Sequence, residues 1–536
     1  MRAEGLPFKS TGYFSKLITD YLEGNEALRP FYHRRPDIKG FKAQIQEKLT
    51  AYPAANRQRL TEVLQEQYAD LDPSEATRAN LKALADSGTL TVVTGHQLNL
   101  FTGPLYFHYK ILTSIKLCGE LKRAYPEQTF VPVYWMATED HDFEEINHFN
   151  FQGKEFRWNR PSGGAVGRMD TDGLEALAAQ FEQDLGPGRN GAELLKLFRE
   201  AYLKHNTLAA ATRYLADRLF GAQGLVVLDA DDARLKSLFV PYMREDLLEG
   251  TAFREVTAGA ESLKVADPDY AVQVNPREIN LFYLDHGQRN RIVEENGVFH
   301  VLDMPAVFTR EELLKELDAH PERFSPNVIT RPLYQEVLLP NLAYVGGGGE
   351  LAYWLELKSY FEASGIPFPV LVLRNSALLL SEKWAGKAER LGVALPELFL
   401  DRNRLINKKI REISNIDIDF SPQRKHLHEQ FAELYTLAEQ TDKSFLGAVK
   451  AQEVKQLRGL DLLEKRLLKA QKRKLKDHVS RLAELHNTLF PGGSLQERNR
   501  NFAEFYLEIG GPQWAEQLME CFEPLPEQFK LLIYGS

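Results

Sequence analysis

Cysteine is nearly absent: Cys118 and Cys521 are the only two in 536 residues. Two scattered thiols build neither a disulfide scaffold nor a thiolate zinc cluster, and they point to a reducing compartment. Long apolar runs are missing too. The uncharged stretch FVPVYWMAT (130–138) falls far short of the ~20 residues that span a bilayer. The opening MRAEGLPFKSTGYFSKL has no apolar core of signal-peptide length. These absences give the expectation of a cytoplasmic protein with no membrane partner. No GxSxG nucleophile elbow, HExxH zinc motif or GxxxxGK[ST] phosphate loop occurs, so nucleophilic catalysis is the weaker class. Positive charge is also short, with 66 Lys and Arg against 75 Asp and Glu and a net charge of -9. Nonspecific nucleic-acid binding is disfavoured, because neutralising phosphates needs clustered cations.

What is present is core-forming material: 43% hydrophobic and 26% charged residues exclude wholesale disorder. The length suits two to four domains. Residues 38–86 follow a helical spacing through Phe41, Ile45 and Leu49, and 1–88 reads as a helical segment packed on a core. The period then changes. TLTVVTGH (89–96) is a β-branched run, followed by a helix from about Pro104 to Tyr125 and a second strand, TFVPVYWMA (129–137). LVVLDA (225–230), NLAYV (341–345) and PVLVLR (369–374) repeat the pattern. Five short buried strands with helical crossovers predict an α/β fold with a doubly wound parallel sheet. Its two parts are 89–249 and 331–384, and 250–330 is an inserted, β-containing region. Residues 385–490 form a helical coiled-coil domain and 491–536 a C-terminal segment. No proline falls between Pro422 and Pro491. Within that span KRLLKAQKRKLK (465–476) holds seven basic residues in twelve. It faces solvent, a second subunit or a nucleotide.

Three motifs carry candidate chemistry. In TGHQLNLFTGPLYFHYK (94–110), Gly95 and Gly103 allow close backbone approach, and a helix start near Pro104 offers free N–H groups to an anion. His96, Gln97, Asn99, Thr102, Tyr106 and Lys110 add polar reach at a strand's carboxyl end. The alternative is an ordinary strand–helix turn with capping residues. In VYWMATEDHDFEEIN (133–147), Trp135 lies at the end of the second strand and Glu139, Asp140, His141, Asp142 and Asn147 follow it. Crowded carboxylates with a histidine suit a divalent cation or a general base, or else form a solvated acidic loop. In SPNVITRPLYQEVLLPNLAYVGGGGELAYW (325–354), Arg331 is a candidate carboxylate or phosphate clamp. Gly347 and Gly348 resemble a phosphate-cradling turn, Glu350 is a candidate for an amine or hydroxyl, and Tyr353 is either core or site. His141, Asp142, Asp140 and His96 are the candidate catalytic residues; the metal is unassigned.

These three motifs resemble the bacillithiol-biosynthesis family BshC, whose members are described as cysteine ligases, and the resemblance covers essentially the whole chain. It implies a Rossmann-like core, an inserted connecting region and a coiled-coil domain through which two subunits pair as a homodimer. It also implies a reaction that joins L-cysteine to glucosaminyl-malate by an amide bond. Such a bond is uphill from a free carboxylate, so ATP is expected, activating cysteine as an acyl-adenylate; Mg²⁺ is a candidate ion. No HIGH or KMSKS signature accompanies the motifs, and two cysteines exclude a thiolate zinc site. On this reading the 94–110 turn and the glycine run contact phosphate and substrate. Glu139, Asp140 and Asp142 hold Mg²⁺ or the sugar amine, His141 is the base and Arg331 takes the malate carboxylates. The rivals are a metal-dependent hydrolase or nucleotidyltransferase, and a non-catalytic thiol-binding scaffold.

Overall fold

A computed structural model describes residues 1–285, 287–441 and 443–535. The chain divides into two compact units, one of Met1–Leu379 with the stretch from Gln496 onward, the other Leu380–Leu495.

The first unit is built on five parallel strands: β1 (Thr89–His96), β2 (Thr129–Met136), β3 (Val226–Asp229), β4 (Asn341–Gly346) and β5 (Val370–Leu373). Every residue of β1, β4 and β5 is buried. That is why these strands read as continuous β-branched and apolar runs rather than as alternations. Their order across the sheet is β5-β4-β1-β2-β3, and every pairing is parallel. Chain order therefore reverses between β1 and β4, as in a Rossmann-like sheet. Helix α1 (Tyr106–Ala124) crosses from β1 to β2, α2 (Arg331–Leu338) leads into β4, and α3 (Gly348–Trp354) leaves it. One core cluster joins Leu90, Val92, Leu342 and Val372 of the sheet to Leu117 and Leu121 of α1 and to Phe41 and Ile45 of helix Ile38–Ala51. A fully buried side chain of the Phe41 kind contributes about 1.5–3 kcal/mol relative to exposure.

Between β3 and β4 the chain forms an antiparallel five-stranded sheet. Its strands are Leu281–Asp285, Gln288–Glu295, Val298–Val301, Val307–Thr309 and Phe324–Pro326. Two sheets have no counterpart in the sequence reading, one being the antiparallel pair His148–Phe151 and Lys154–Arg157 and the other formed by the chain ends. Arg2–Pro7 pairs antiparallel with Gln528–Tyr534, Arg2 opposite Ile533. Only Leu6 of RAEGLP is buried, so the segment offers no alternation, and its partner lies at the far end of the chain.

The second unit is helical. Ser421–Glu439 and Lys443–Lys474 form an antiparallel hairpin around Phe431, Ala438 and Val449. Arg424 reaches Asp461 at 2.9 Å, and the Tyr435 hydroxyl donates to Glu453 at 2.7 Å. The basic run 465–476 makes no ion pair among the described residues, and six of its seven cations are exposed. Among the described residues no helix is long and apolar enough to cross a membrane.

Candidate active site

Ligands of open parallel sheets bind beyond the carboxyl ends of the strands where strand order reverses. A cleft of about 760 Å³ opens there, between β1 and β4, within the range of small-molecule sites. Gly95, His96 and Gln97 come to it from β1 and its following turn. Trp135 and the loop Glu139 to Asp142 come from β2, and Gly347, Glu350 and Tyr353 from the β4–α3 turn. Tyr106 and Lys110 of α1 and Arg331 of α2 complete this wall. The antiparallel five-stranded sheet supplies the facing wall with Phe282, Arg289 and Arg291.

Gly95 sits against the clamp residue. A Cβ there would lie 3.4 Å from the Tyr344 hydroxyl and 3.6 Å from Arg331 Nη1, ordinary van der Waals contact, so a side chain longer than alanine would reach toward the clamp residue. Beside it, burial depresses His96 well below the ordinary imidazole value, and the charges of Lys110 and Arg374 add to the effect. His96 is therefore neutral at pH 7.

The glycine run is not an open phosphate cradle. Glu350 turns back over the start of α3, accepting the Gly347 amide at 2.8 Å and pairing with Lys110 at 2.7 Å. Its second oxygen accepts the Tyr344 hydroxyl at 2.9 Å. Burial alone would raise this carboxyl, but Lys110 and the two hydrogen bonds hold it below its usual range. A protein carboxylate thus occupies the position expected for a ligand anion. Lys110, whose Nζ also donates to the Gly95 carbonyl at 2.8 Å, is committed to it. Gly348 faces Phe14 and Ile18 instead of the cleft.

The turn from β1 to α1 likewise serves structure along most of its length. Phe101 and Thr102 adopt positive φ of 47° and 68°, a cost of about 1–3 kcal/mol each that the surroundings must offset. Asn501 Nδ2 donates to the carbonyls of Phe101 and Gly103 at 2.8 and 2.6 Å, and the Phe101 amide donates to Tyr202. Thr102 pairs with His108, and Asn99 donates to the Glu145 carbonyl. The Leu105 amide is taken by the Arg500 carbonyl and the Phe107 amide by the Pro104 carbonyl, so these two N–H groups at the helix start are not free for an anion. Asn147, bonded to Arg157 at 3.0 Å, is also away from the cleft. Asn99, Thr102, Gly103, Asn147 and Gly348 are not among the residues that line the cleft, and the contacts of most of them are to the surrounding loops.

The acidic loop is divided by its partners. Glu139 lies 2.6 Å from Lys236, whose Nζ also reaches Asp231 at 3.0 Å and is buried. Burial pushes the Glu139 carboxyl up and Lys236 opposes it; this carboxylate is matched and not free for an amine. Asp140 accepts Gln97 Nε2 and the His141 amide, both at 2.8 Å. Arg289 Nη1 lies 2.8 Å from His141 Nδ1. A guanidinium only donates, so Nδ1 is the acceptor and the imidazole proton sits on Nε2. In this arrangement the Nδ1 lone pair that a base would use is engaged by Arg289. Its Nε2 points toward Asp142, 3.9 Å away. Asp142, with a side chain 55% exposed, is the carboxylate of this loop open to a ligand.

Asp140, His141 and Asp142 bring one ligand atom each within 4.8 Å of one another. The set does not suit Mg²⁺, which demands oxygen ligands in near-octahedral geometry. One donor is a nitrogen, Asp140 is already hydrogen-bonded, and Arg289 brings a positive charge to the same place.

Arg331 is the contrasting case. Its guanidinium lies 5.9 Å from the Trp135 ring and 5.8 Å from the Tyr344 ring. Its hydrogen-bond partners are neutral, Gln335 at 3.1 Å and the Tyr353 hydroxyl at 3.4 Å. No carboxylate pairs with it among the described residues. Trp354 stacks on Tyr344 at 4.4 Å in the core, while Tyr353 lines the cleft.

The sequence reading missed Arg277, Arg289, Arg291, Arg374 and Arg498, which also line the cleft. Two signals were available. Arg374 closes the strand run PVLVLR, the same strand-end position that drew notice to Gly95. Arg289 and Arg291 alternate on one face of Gln288–Glu295. With Lys110 and Arg331 the lining holds seven cations against Glu139, Asp140, Asp142 and Glu350. An acidic protein thus carries a cationic cleft, which concentrates anionic ligands.

Comparison with known proteins agrees with this architecture. Residues 1–375 match the family model described as bacillithiol biosynthesis BshC, N-terminal Rossmann-like domain, and residues 377–534 that of the C-terminal coiled-coil domain. A protein of Christiangramia forsetii described as "Putative cysteine ligase BshC" is 55% identical over 534 residues, covering 99% of each chain. Relatives of the same description from Flavobacterium johnsoniae and Bacillus mycoides are 51% and 27% identical. They cover 99% and 94% of this chain, and 100% and 95% of their own. The chain belongs to the bacillithiol biosynthesis BshC family.

Proposed function

We propose that the cleft joins L-cysteine to glucosaminyl-malate through an amide bond, with ATP activating the cysteine carboxyl as an acyl-adenylate. The observation that carries the reading is Arg331, a cation at the base of the cleft with no carboxylate partner, in a chain of the BshC family. A buried guanidinium is costly unless compensated, and a malate carboxylate matches its planar fork. The surplus of cations on the facing wall suits the second carboxylate and the nucleotide phosphates. Mg²⁺ on this reading enters with those phosphates, the usual mode for that ion.

The chain's own groups have definite tasks. Attack of the glucosamine nitrogen on the acyl carbon forms the C–N bond, breaks the bond to AMP and releases a proton from the ammonium that forms. Asp142 takes that proton, and His141 Nε2–H steadies the ionised carboxylate. Neutral His96 and the Tyr106 ring form the floor on which the activated acyl group rests. We propose further that two copies pair through the helical hairpin, whose exposed Leu437, Val454, Leu462 and Leu463 leave apolar surface in a single chain.

The test is product analysis with purified protein, ATP, cysteine and glucosaminyl-malate. AMP, pyrophosphate and the cysteinyl amide should appear in equal amounts, and Arg331→Gln should raise KM for glucosaminyl-malate at least ~10-fold. ADP in place of AMP would refute adenylation. Hydrolysis of either substrate without a new amide would sink the ligase reading.

A further inference from the structure

Arg331 has no carboxylate of its own, so something else fixes its orientation. One turn along α2, Gln335 accepts Arg331 Nη1 through Oε1 at 3.1 Å. Gln335 Nε2 donates to Glu336 Oε1 at 3.0 Å, and Asn341 Nδ2, from the first residue of β4, donates to the same oxygen at 2.6 Å. The other oxygen, Oε2, receives Lys48 Nζ at 2.6 Å. Gln335, Glu336, Asn341 and Lys48 are 0–3% exposed. A buried polar chain therefore runs from helix Ile38–Ala51, through α2 and the start of β4, to the floor of the cleft.

The donor and acceptor types fix its sense. Arginine and lysine only donate, and an ionised carboxylate only accepts. Gln335 must then turn its oxygen to Arg331 and its nitrogen to Glu336; a flipped amide would oppose donor to donor at one end and acceptor to acceptor at the other. The arrangement separates two properties that a direct ion pair would join. Arg331 is held in place, yet the negative charge of Glu336 stays one neutral side chain away and is balanced by Lys48. The guanidinium keeps its charge for a ligand.

We infer that Gln335 is the positioning residue for Arg331, a neutral spacer that orients the guanidinium without neutralising it and so sets the cleft's affinity for a carboxylate substrate. This rests on the proposed role of Arg331, and two substitutions separate its parts. Gln335→Met keeps the volume and removes the orienting bond. Gln335→Glu keeps an acceptor but places a carboxyl against Arg331. Both should raise KM for glucosaminyl-malate about 10-fold, equivalent to about 1.4 kcal/mol, while KM for cysteine moves less than ~2-fold. The loss in Gln335→Glu should deepen from pH 6 to pH 8 as the new carboxyl ionises; that in Gln335→Met should stay flat. Melting curves of both variants identify any folding loss, which would affect both substrates alike.

If Arg331→Gln raises KM for glucosaminyl-malate but both Gln335 variants behave as the parent, the relay is wrong and the role of Arg331 stands. If Arg331→Gln leaves that KM unchanged, the carboxylate role and the relay fall together. A pH-independent loss in Gln335→Glu that affects both substrates equally would reduce Gln335 to ordinary packing and overturn the inference.

Discussion

Arg289 decides what His141 can do. Its three nitrogens reach Ser325 Oγ at 3.0 Å, His141 Nδ1 at 2.8 Å and the Pro326 carbonyl at 2.9 Å. Its plane lies 4.0 Å from the centre of the Phe282 ring, a contact worth about 0.5–2 kcal/mol. Burial pulls the guanidinium below its usual value, and Glu139, Asp140 and Asp142 oppose the pull, so the cation persists and keeps donating. We predict that nitrogen-15 spectra show His141 with its proton on Nε2 and that Arg289→Met abolishes this preference. A parent protein with the proton on Nδ1 would remove the assignment of Asp142 as proton acceptor. Residue types were legible in the sequence: TEDHD after a buried strand marked a site, and Gly95, Gln97 and Arg331 all reach the cleft. Pairings were not. That Lys236 matches Glu139, that Glu350 fills its own helix start and that Arg289 takes the His141 lone pair depend on contacts 97, 3 and 148 residues apart along the chain. Only the nearest of these has a sequence pattern.

At the scale of elements, the parallel strands could be read because burial on both faces leaves β-branched runs without alternation. The segment 273–280 could not, since it has no period. It lines the cleft through Asn275, Arg277 and Ile279 and is pinned at both ends by buried carboxylates. Glu356 accepts the Gln273 amide at 2.7 Å, and Asp246 accepts the Asn280 amide at 2.6 Å and its side-chain nitrogen at 3.2 Å. Burial pushes both carboxyls up to about 7, against the hydrogen bonds that they accept. Folding therefore favours the protonated forms. Their stabilising contribution is complete below an ordinary carboxyl pKa near 4 and is lost as pH rises through about 7, at about 1.4 kcal/mol per pH unit for each group. Asp246→Asn removes one of these titrations, with a constant loss from the imperfect bond to Asn280. The Tm of Asp246→Asn relative to the parent should rise from pH 5 to about pH 7 and level off by pH 8. A difference that is constant or falls over that range would show that Asp246 is not held protonated by the fold.

For the molecule as a whole, net charge conceals a division between the two units. Residues 421–490 hold 14 basic and 9 acidic side chains in a chain of net charge -9. The cationic surplus of the hairpin is thus offset by an acidic remainder, and inside that remainder the cleft is cationic again. Two of the hairpin's carboxylates are taken by other groups, Glu464 by Arg424 and by Arg411 of helix Arg402–Ile413 and Glu453 by Tyr435 and His428, and the run 465–476 has no ion-pair partner among the described residues. Its apolar residues are equally unfinished. Leu437, Val454, Leu462 and Leu463 are 52–57% exposed, whereas the internal seam needs only Phe431, Ala438 and Val449 with their neighbours. The three/four spacing from Phe431 to Leu489 showed a coiled coil, but spacing alone cannot divide its apolar positions between an internal seam and a second surface. Pairing of two hairpins would cover that surface. The parent should then scatter light as a particle of about twice 61.2 kDa. Leu462→Glu with Leu463→Glu should return it to one chain mass while changing stability by no more than about 1 kcal/mol, because neither side chain belongs to the seam. A parent that scatters as a single chain at micromolar concentration would leave the apolar surface to another partner and end the proposal that two hairpins pair.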